Sequence, residues 1–195
     1  MKPFHFGLLS AAALAILSAP AAAQMGAGYA GLEFVNAVKD RDGDKAEQLL
    51  SSNTVSSIIN AKDGQGNTAL IYAIARRDEA YTGYLLGKGA DPNLGGKGGD
   101  TPLIIASRLG FEQAIQWLLG VGAKVDGTNR MGETPLINAV MQHQPQTVRL
   151  LLENGADPDK ADHAAGYSAR DYAKRDPRAR DILGMIESRK PSPKK

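Results

Sequence analysis

The sequence predicts an all-α solenoid of helix–turn–helix units joined by β-turn-like loops. Three observations carry that expectation. A block opening on Thr and closing on Ala recurs 33 residues apart, as Thr68-Ala69-Leu70-Ile71-Tyr72-Ala73, Thr101-Pro102-Leu103-Ile104-Ile105-Ala106 and Thr134-Pro135-Leu136-Ile137-Asn138-Ala139. A leucine pair follows in the same register, within Tyr84-Leu85-Leu86, Trp117-Leu118-Leu119 and Leu150-Leu151-Leu152. A Gly-Ala step then closes each copy, at Gly89-Ala90, Gly122-Ala123 and Gly155-Ala156. Three anchors in register point to repeats that cannot bury their apolar faces alone and must stack.

The elements follow in chain order. Residues 1–23 read as a secretory signal peptide. Lys2 gives a positive start, Gly7 to Leu17 an apolar run, Pro20 a break, and Ala21-Ala22-Ala23 small residues for cleavage before Gln24. A spanning helix needs about 20 apolar residues, more than this run holds, so no stable membrane insertion is expected after cleavage. The chain has no cysteine, which excludes a lipidated cysteine, disulfides and thiolate chemistry. The expected location is therefore periplasmic or secreted, and a short signal on a small cysteine-free chain suits a bacterial periplasm. Residues 24–30 form a leader.

A degenerate cap, 31–62, carries Phe34-Val35-Asn36-Ala37 and Leu49-Leu50 on the same template, displaced by 36 residues. Asn53 takes the place of the capping glycine, and the extra length falls in Ser51 to Lys62. Full repeats are expected at 63–95, 96–128 and 129–162. In each, Thr68, Thr101 or Thr134 is a helix N-cap worth about 1 kcal/mol, and Pro102 and Pro135 suit the first helical position. Turns are expected at Arg77-Asp78, Gly110-Phe111 and His143-Gln144-Pro145. The second helix ends in its leucine pair, and Gly89, Gly122 and Gly155 sit where a left-handed cap is wanted. The loops beyond are rich in Gly, Asp, Asn and Pro. In the last cap, 163–188, Ser168, Ala173, Ile182, Met185 and Ile186 follow the template, while Arg170 and Asp171 replace Leu-Ile as a polar outer face. The tail, 189–195, is expected to be disordered.

These blocks resemble the ankyrin repeat, whose pattern includes T-P-L-H-x-A and a later Leu-Leu pair before Gly-Ala. The resemblance covers about Gly31 to Ile186. It departs at one place in every copy: Ile71, Ile104 and Ile137 stand where the family has His, so apolar packing replaces a polar tie to the loop. The resemblance implies a monomeric, non-catalytic scaffold without a cofactor, binding a partner protein on a concave face of loop tips and inner helices. Carried over by position, it implies Gln65, Asn67 and Arg76 from the first repeat. The second contributes Lys97, Asp100, Arg108 and Leu109, and the third Arg130, Met131, Glu133, Met141 and Gln142.

The residues point to no other chemistry. A net charge of +2 lacks the basic excess of nucleic-acid binders. His143 and His163 lack the H-E-x-x-H spacing of a metal site. Gly95-Gly96-Lys97-Gly98-Gly99 has neither the preceding strand nor the Lys-Ser/Thr step of a phosphate loop. Asp40-Arg41-Asp42-Gly43-Asp44 lacks the distant Glu of a calcium loop. There is no G-x-S-x-G elbow. The C-terminal third mixes Arg170, Lys174, Arg175, Arg178, Arg180, Arg189, Lys190, Lys194 and Lys195 with Asp171, Asp176, Asp181 and Glu187. This reads as a solvated face over a nucleic-acid stripe, with a weak acidic partner or an anionic membrane surface as the alternative. The expected function is a protein–protein interaction scaffold outside the cytoplasm, in one form accessory to an exported enzyme. The alternative is a secreted effector acting on a host protein.

Overall fold

Helices of seven to nine residues, the length of α4 to α11, fall below the roughly 12–15 residues at which an isolated helix becomes even marginal in water. The architecture therefore rests on packing between units. The computed structural model describes residues 19–52 and 55–188, with side chains from residue 28 onward. The signal segment before residue 19, Asn53 and the tail 189–195 lie outside the described residues.

The helices are α1 (Ala19–Asp40), α2 (Gly43–Ser52), α3 (Val55–Ile58), α4 (Ala69–Ala75), α5 (Glu79–Gly87), α6 (Pro102–Leu109), α7 (Glu112–Gly120), α8 (Pro135–Met141), α9 (Pro145–Glu153), α10 (Ala169–Arg175) and α11 (Arg180–Ser188). Among the described residues there is no strand, only an isolated bridge between Ala161 and Ser168. An inner row, α1, α4, α6, α8 and α10, packs each helix on the next. An outer row, α5, α7, α9 and α11, does the same, and each inner helix also packs on the outer helix that follows it. This is the all-α repeat solenoid that the spacing predicts.

The predicted caps form. The hydroxyls of Thr68, Thr101 and Thr134 accept from the amides of Ile71, Ile104 and Ile137. Pro102 and Pro135 open α6 and α8. Gly89, Gly122 and Gly155 follow the outer helices with φ of 88°, 93° and 93°, the left-handed backbone that glycine reaches without a Cβ clash. The turns between paired helices are left-handed as well, at Arg41, Arg77, Gly110 and His143. A non-glycine residue there costs about 1–2 kcal/mol. Two of these side chains join neighbouring units. The Arg77 guanidinium donates to the Leu109 and Gly110 carbonyls and lies over the Phe111 ring. His143 Nε2 lies 3.1 Å from Asp176 Oδ2.

The core runs along both rows. Ala73, Ala106 and Ala139 are fully buried, and their small side chains let inner helices approach closely. Leu70, Leu103 and Leu136 fill the space toward Leu85, Leu118 and Leu151, each burial contributing roughly 1.5–3 kcal/mol. Ile71, Ile104 and Ile137 are buried too. Ile71 reaches under the next loop, where a Cβ on Gly96 would meet its Cδ1 at 2.6 Å.

Two features differ from a plain reading of the ends. α1 starts at Ala19 and runs unbroken through Ala23-Gln24 and the segment read as a leader. Arg170 and Asp171 do not form a solvated outer face. Arg170 is half-buried and its Nε donates to Asp159 Oδ1 at 2.6 Å, while Asp171 completes a capping box with Ser168. The template positions that lost apolar side chains gained polar ties to the preceding loop.

Candidate protein-binding face

Each loop enters its inner helix through a short turn held by one carboxylate or amide. Asp63 Oδ1 accepts from the amides of Gln65 and Asn67. Asn129 Oδ1 does the same for Met131 and Glu133, and Asp162 Oδ1 for Ala165 and Gly166. The second loop has Gly96 at this position and borrows from its neighbour, since Asn67 Oδ1 accepts from the Lys97 amide at 2.9 Å. Successive loop tips are then tied backbone to backbone. The Arg130 amide donates to the Gly98 carbonyl at 3.0 Å and the His163 amide to the Met131 carbonyl at 2.7 Å.

Below the tips lies a polar network on the inner helices. Arg108 donates through Nη2 to Asp100 Oδ2 at 2.8 Å and through Nε to Asn138 Oδ1 at 2.9 Å. Asn129 Nδ2 donates to Asp100 Oδ1 at 2.9 Å and to Glu133 Oε2 at 2.7 Å. At the two ends of the array a tyrosine replaces this arrangement. Tyr72 Oη donates to Asp63 Oδ2 and Tyr172 Oη to Asp162 Oδ2, both at 2.6 Å. Burial pushes the Asp162 carboxyl up, but the Tyr172 hydroxyl and the amides of Ala165, Gly166 and Ala164 outweigh it and hold it below the usual carboxylate range. The hydrogen bond to Asp162, with burial second, pushes the Tyr172 hydroxyl up to about 12. Asp63 is lowered in the same way, burial being outweighed by Tyr72 and two amides.

The twelve positions carried over from sequence therefore divide. Asn67, Arg76, Asp100, Arg108 and Glu133 use polar atoms on the protein itself; Arg76 Nη1 donates to the carbonyls of Val38 and Lys39. Asn67, Arg76, Asp100 and Arg108 join neighbouring repeats, whereas Glu133 braces Asn129 within its own loop. Gln65, Lys97, Arg130, Met131, Met141 and Gln142 are exposed, and Leu109 is half-buried. Met131 is 51% exposed and Met141 43%, high values for methionine in a packed array. Sequence reasoning passed over the column Tyr72, Ile105, Asn138, Tyr172. Its signal is the position before the closing Ala, where Tyr72, Ile105 and Asn138 differ in character across the three full copies while the Leu-Ile before it is constant.

The remaining candidates stay apart. His143 sits at the turn end of α8, and His163 at a loop tip. Asp42 Oδ1 accepts from the Lys45 amide as an ordinary helix start. No group of three or more metal-ligating side chains occurs among the described residues. None of the described helices is long and apolar enough to cross a membrane.

A family model described as ankyrin repeats, in three copies, matches residues 82–162. A second, described as ankyrin repeat, matches residues 65–97. This chain carries ankyrin repeats. No curated protein matches it significantly. Ankyrin repeats generally mediate protein–protein interaction and are typically non-catalytic scaffolds, so the family indicates a protein partner. Matched residues 65–162 take in every loop-tip and inner-helix candidate above, from Gln65 to Gln142. The ankyrin array also accommodates Ile71, Ile104 and Ile137 in place of the family's His, because Thr caps, Asx turns and the tip ladder hold the loops instead.

Proposed function

We propose that this ankyrin protein is a monomeric, non-enzymatic binding module that acts outside the cytoplasm, holding an exported client protein against its loop tips and inner helices. The observation that carries the reading is the division of labour on that face. The polar residues at its base are engaged within the array, while Lys97, Arg130, Met131, Met141 and Gln142 remain turned to solvent. Methionine beside arginine is a composition enriched in interface cores, and its flexible thioether fits irregular partner surfaces. The N-terminal pattern from Lys2 to Ala23 supports export. The near-neutral charge argues for a protein client over a nucleic acid.

The test is affinity capture of the tagged mature protein from the cell envelope, with Met131→Asp/Met141→Asp as the comparison. Arg108 is unsuitable for this purpose, because its loss would break the Asp100–Asn138 joint. One stoichiometric partner, captured by wild type and lost in the double variant, is the expected result. Equal capture by both sinks the inner-face reading. N-terminal sequencing should find Gln24 in the envelope fraction; an intact Met1 start in the cytoplasm sinks export. Protein found in the culture medium without an envelope partner favours the secreted effector.

A further inference from the structure

Two neighbouring loop tips each carry a basic side chain, and the next carries an imidazole. Lys97, Arg130 and His163 occupy the same position in successive loops, 33 residues apart, and all three are exposed. No hydrogen bond or ion pair of the described residues engages the side chains of Lys97 and Arg130. The nearby acids hold hydrogen bonds elsewhere in the array, and of these only Asp100 is paired with a cation, Arg108. Asp63 accepts from Tyr72, Asp100 from Arg108 and Asn129, Glu133 from Asn129, and Asp162 from Tyr172.

The backbone also sets where these side chains lie. A Cβ on Gly99 would meet the Arg130 amide nitrogen at 3.1 Å and its Cγ at 3.2 Å. A Cβ on Gly132 would meet the His163 amide nitrogen and Cγ at 2.7 Å. The Arg130 and His163 side chains therefore each lie against a preceding glycine whose Cβ would crowd them. The amides of all three residues are fixed by the tip ladder and by Asn67. Groups ordered before binding lose less entropy on binding.

We propose that Lys97, Arg130 and His163 form a strip that binds an acidic, extended segment of the partner; this rests on the inner-face reading above. Packed helices lie about 8–10 Å apart. In a polyproline II segment, which turns once every three residues and rises about 3.1 Å per residue, carboxylates at every third residue lie on one side about 9 Å apart and so match successive tips. Met131, beside Arg130, offers the apolar contact between them.

The probe is a fluorescein-labelled peptide of four Glu-Thr-Ser triplets, followed by anisotropy with the full mature protein. Saturable binding is expected at about 20 mM NaCl, weakening toward about 150 mM as the screening length shortens. The double variant Lys97→Glu/Arg130→Glu should bind at least about tenfold more weakly with an unchanged melting temperature, since both residues are exposed. Replacing every Glu of the peptide by Gln should abolish binding. No saturable binding by wild type up to about 1 mM peptide, or equal binding by the double variant, overturns the strip. A captured partner lost in Met131→Asp/Met141→Asp yet kept in Lys97→Glu/Arg130→Glu also overturns it, and leaves the inner-face reading in place.

Discussion

Asp162 and Tyr172 show how one side-chain pair links loop to helix across the last joint. The Tyr172 hydroxyl, pushed from 10.0 up to about 12, donates to a carboxylate held below its usual range. A lowered carboxylate contributes stability above its unfolded value, near 4, and loses it as pH falls through the folded value. A raised phenol contributes stability below pH 10 and loses it as pH rises toward about 12. The melting temperature should therefore hold through the neutral range, fall in acid, and fall again between pH 10 and about 12. Tyr172→Phe should flatten the alkaline fall and reduce the acid one. Circular dichroism melts across pH would check this; an alkaline limb of unchanged depth in the variant contradicts it.

At the scale of elements, the loops are held from behind as well as at their tips. Asn60, Asn93 and Asp126 each accept, through Oδ1, the amide of a residue 31 positions on, at Asp91, Lys124 and Asp157. Asn93 also donates through Nδ2 to the Gly122 carbonyl at 3.1 Å. Asn93→Ala removes both bonds from the joint between the first and second full repeats. With each hydrogen bond contributing about 0.5–1.5 kcal/mol net, the variant should lose about 1–2 kcal/mol. Urea denaturation measures it, and an unchanged midpoint would show that water replaces the ladder without loss. The ladder's polar residues recur every 33 positions, so the period was legible. Their role was not, because an Asn in a polar loop reads as turn chemistry until its neighbour is placed beside it.

Across the whole molecule, stability is a sum of nearest-neighbour interfaces. The interfaces are unequal. α6 and α8 have inner-row neighbours on both sides, whereas α2 packs on α1 and α3 and makes little contact with α5. A cleft lined by Gly43, Asp44, Glu47, Ala80, Tyr81 and Tyr84 separates α2 from α5. Amides of α2 and α11 should exchange fastest and those of α6 and α8 slowest, since end units open without breaking two interfaces. Equal protection in all units of the free protein would contradict this order.

The sequence by itself determined the repeat, its period, the Thr caps, the left-handed glycines and hence the solenoid, because these depend on local backbone chemistry repeated in register. Through resemblance it also implied an inner face of loop tips and inner helices. Only the tertiary structure decided which residues of that face are joints and which stay exposed. Asp100 and Arg108 look like any surface pair until Asn129 and Asn138 arrive from the next repeat. Arg170 looks like a solubilising charge until Asp159 is set beside it. Such roles arise from contacts between residues about 10 to 30 positions apart, and only the stacking of one unit on the next brings those residues within hydrogen-bonding distance.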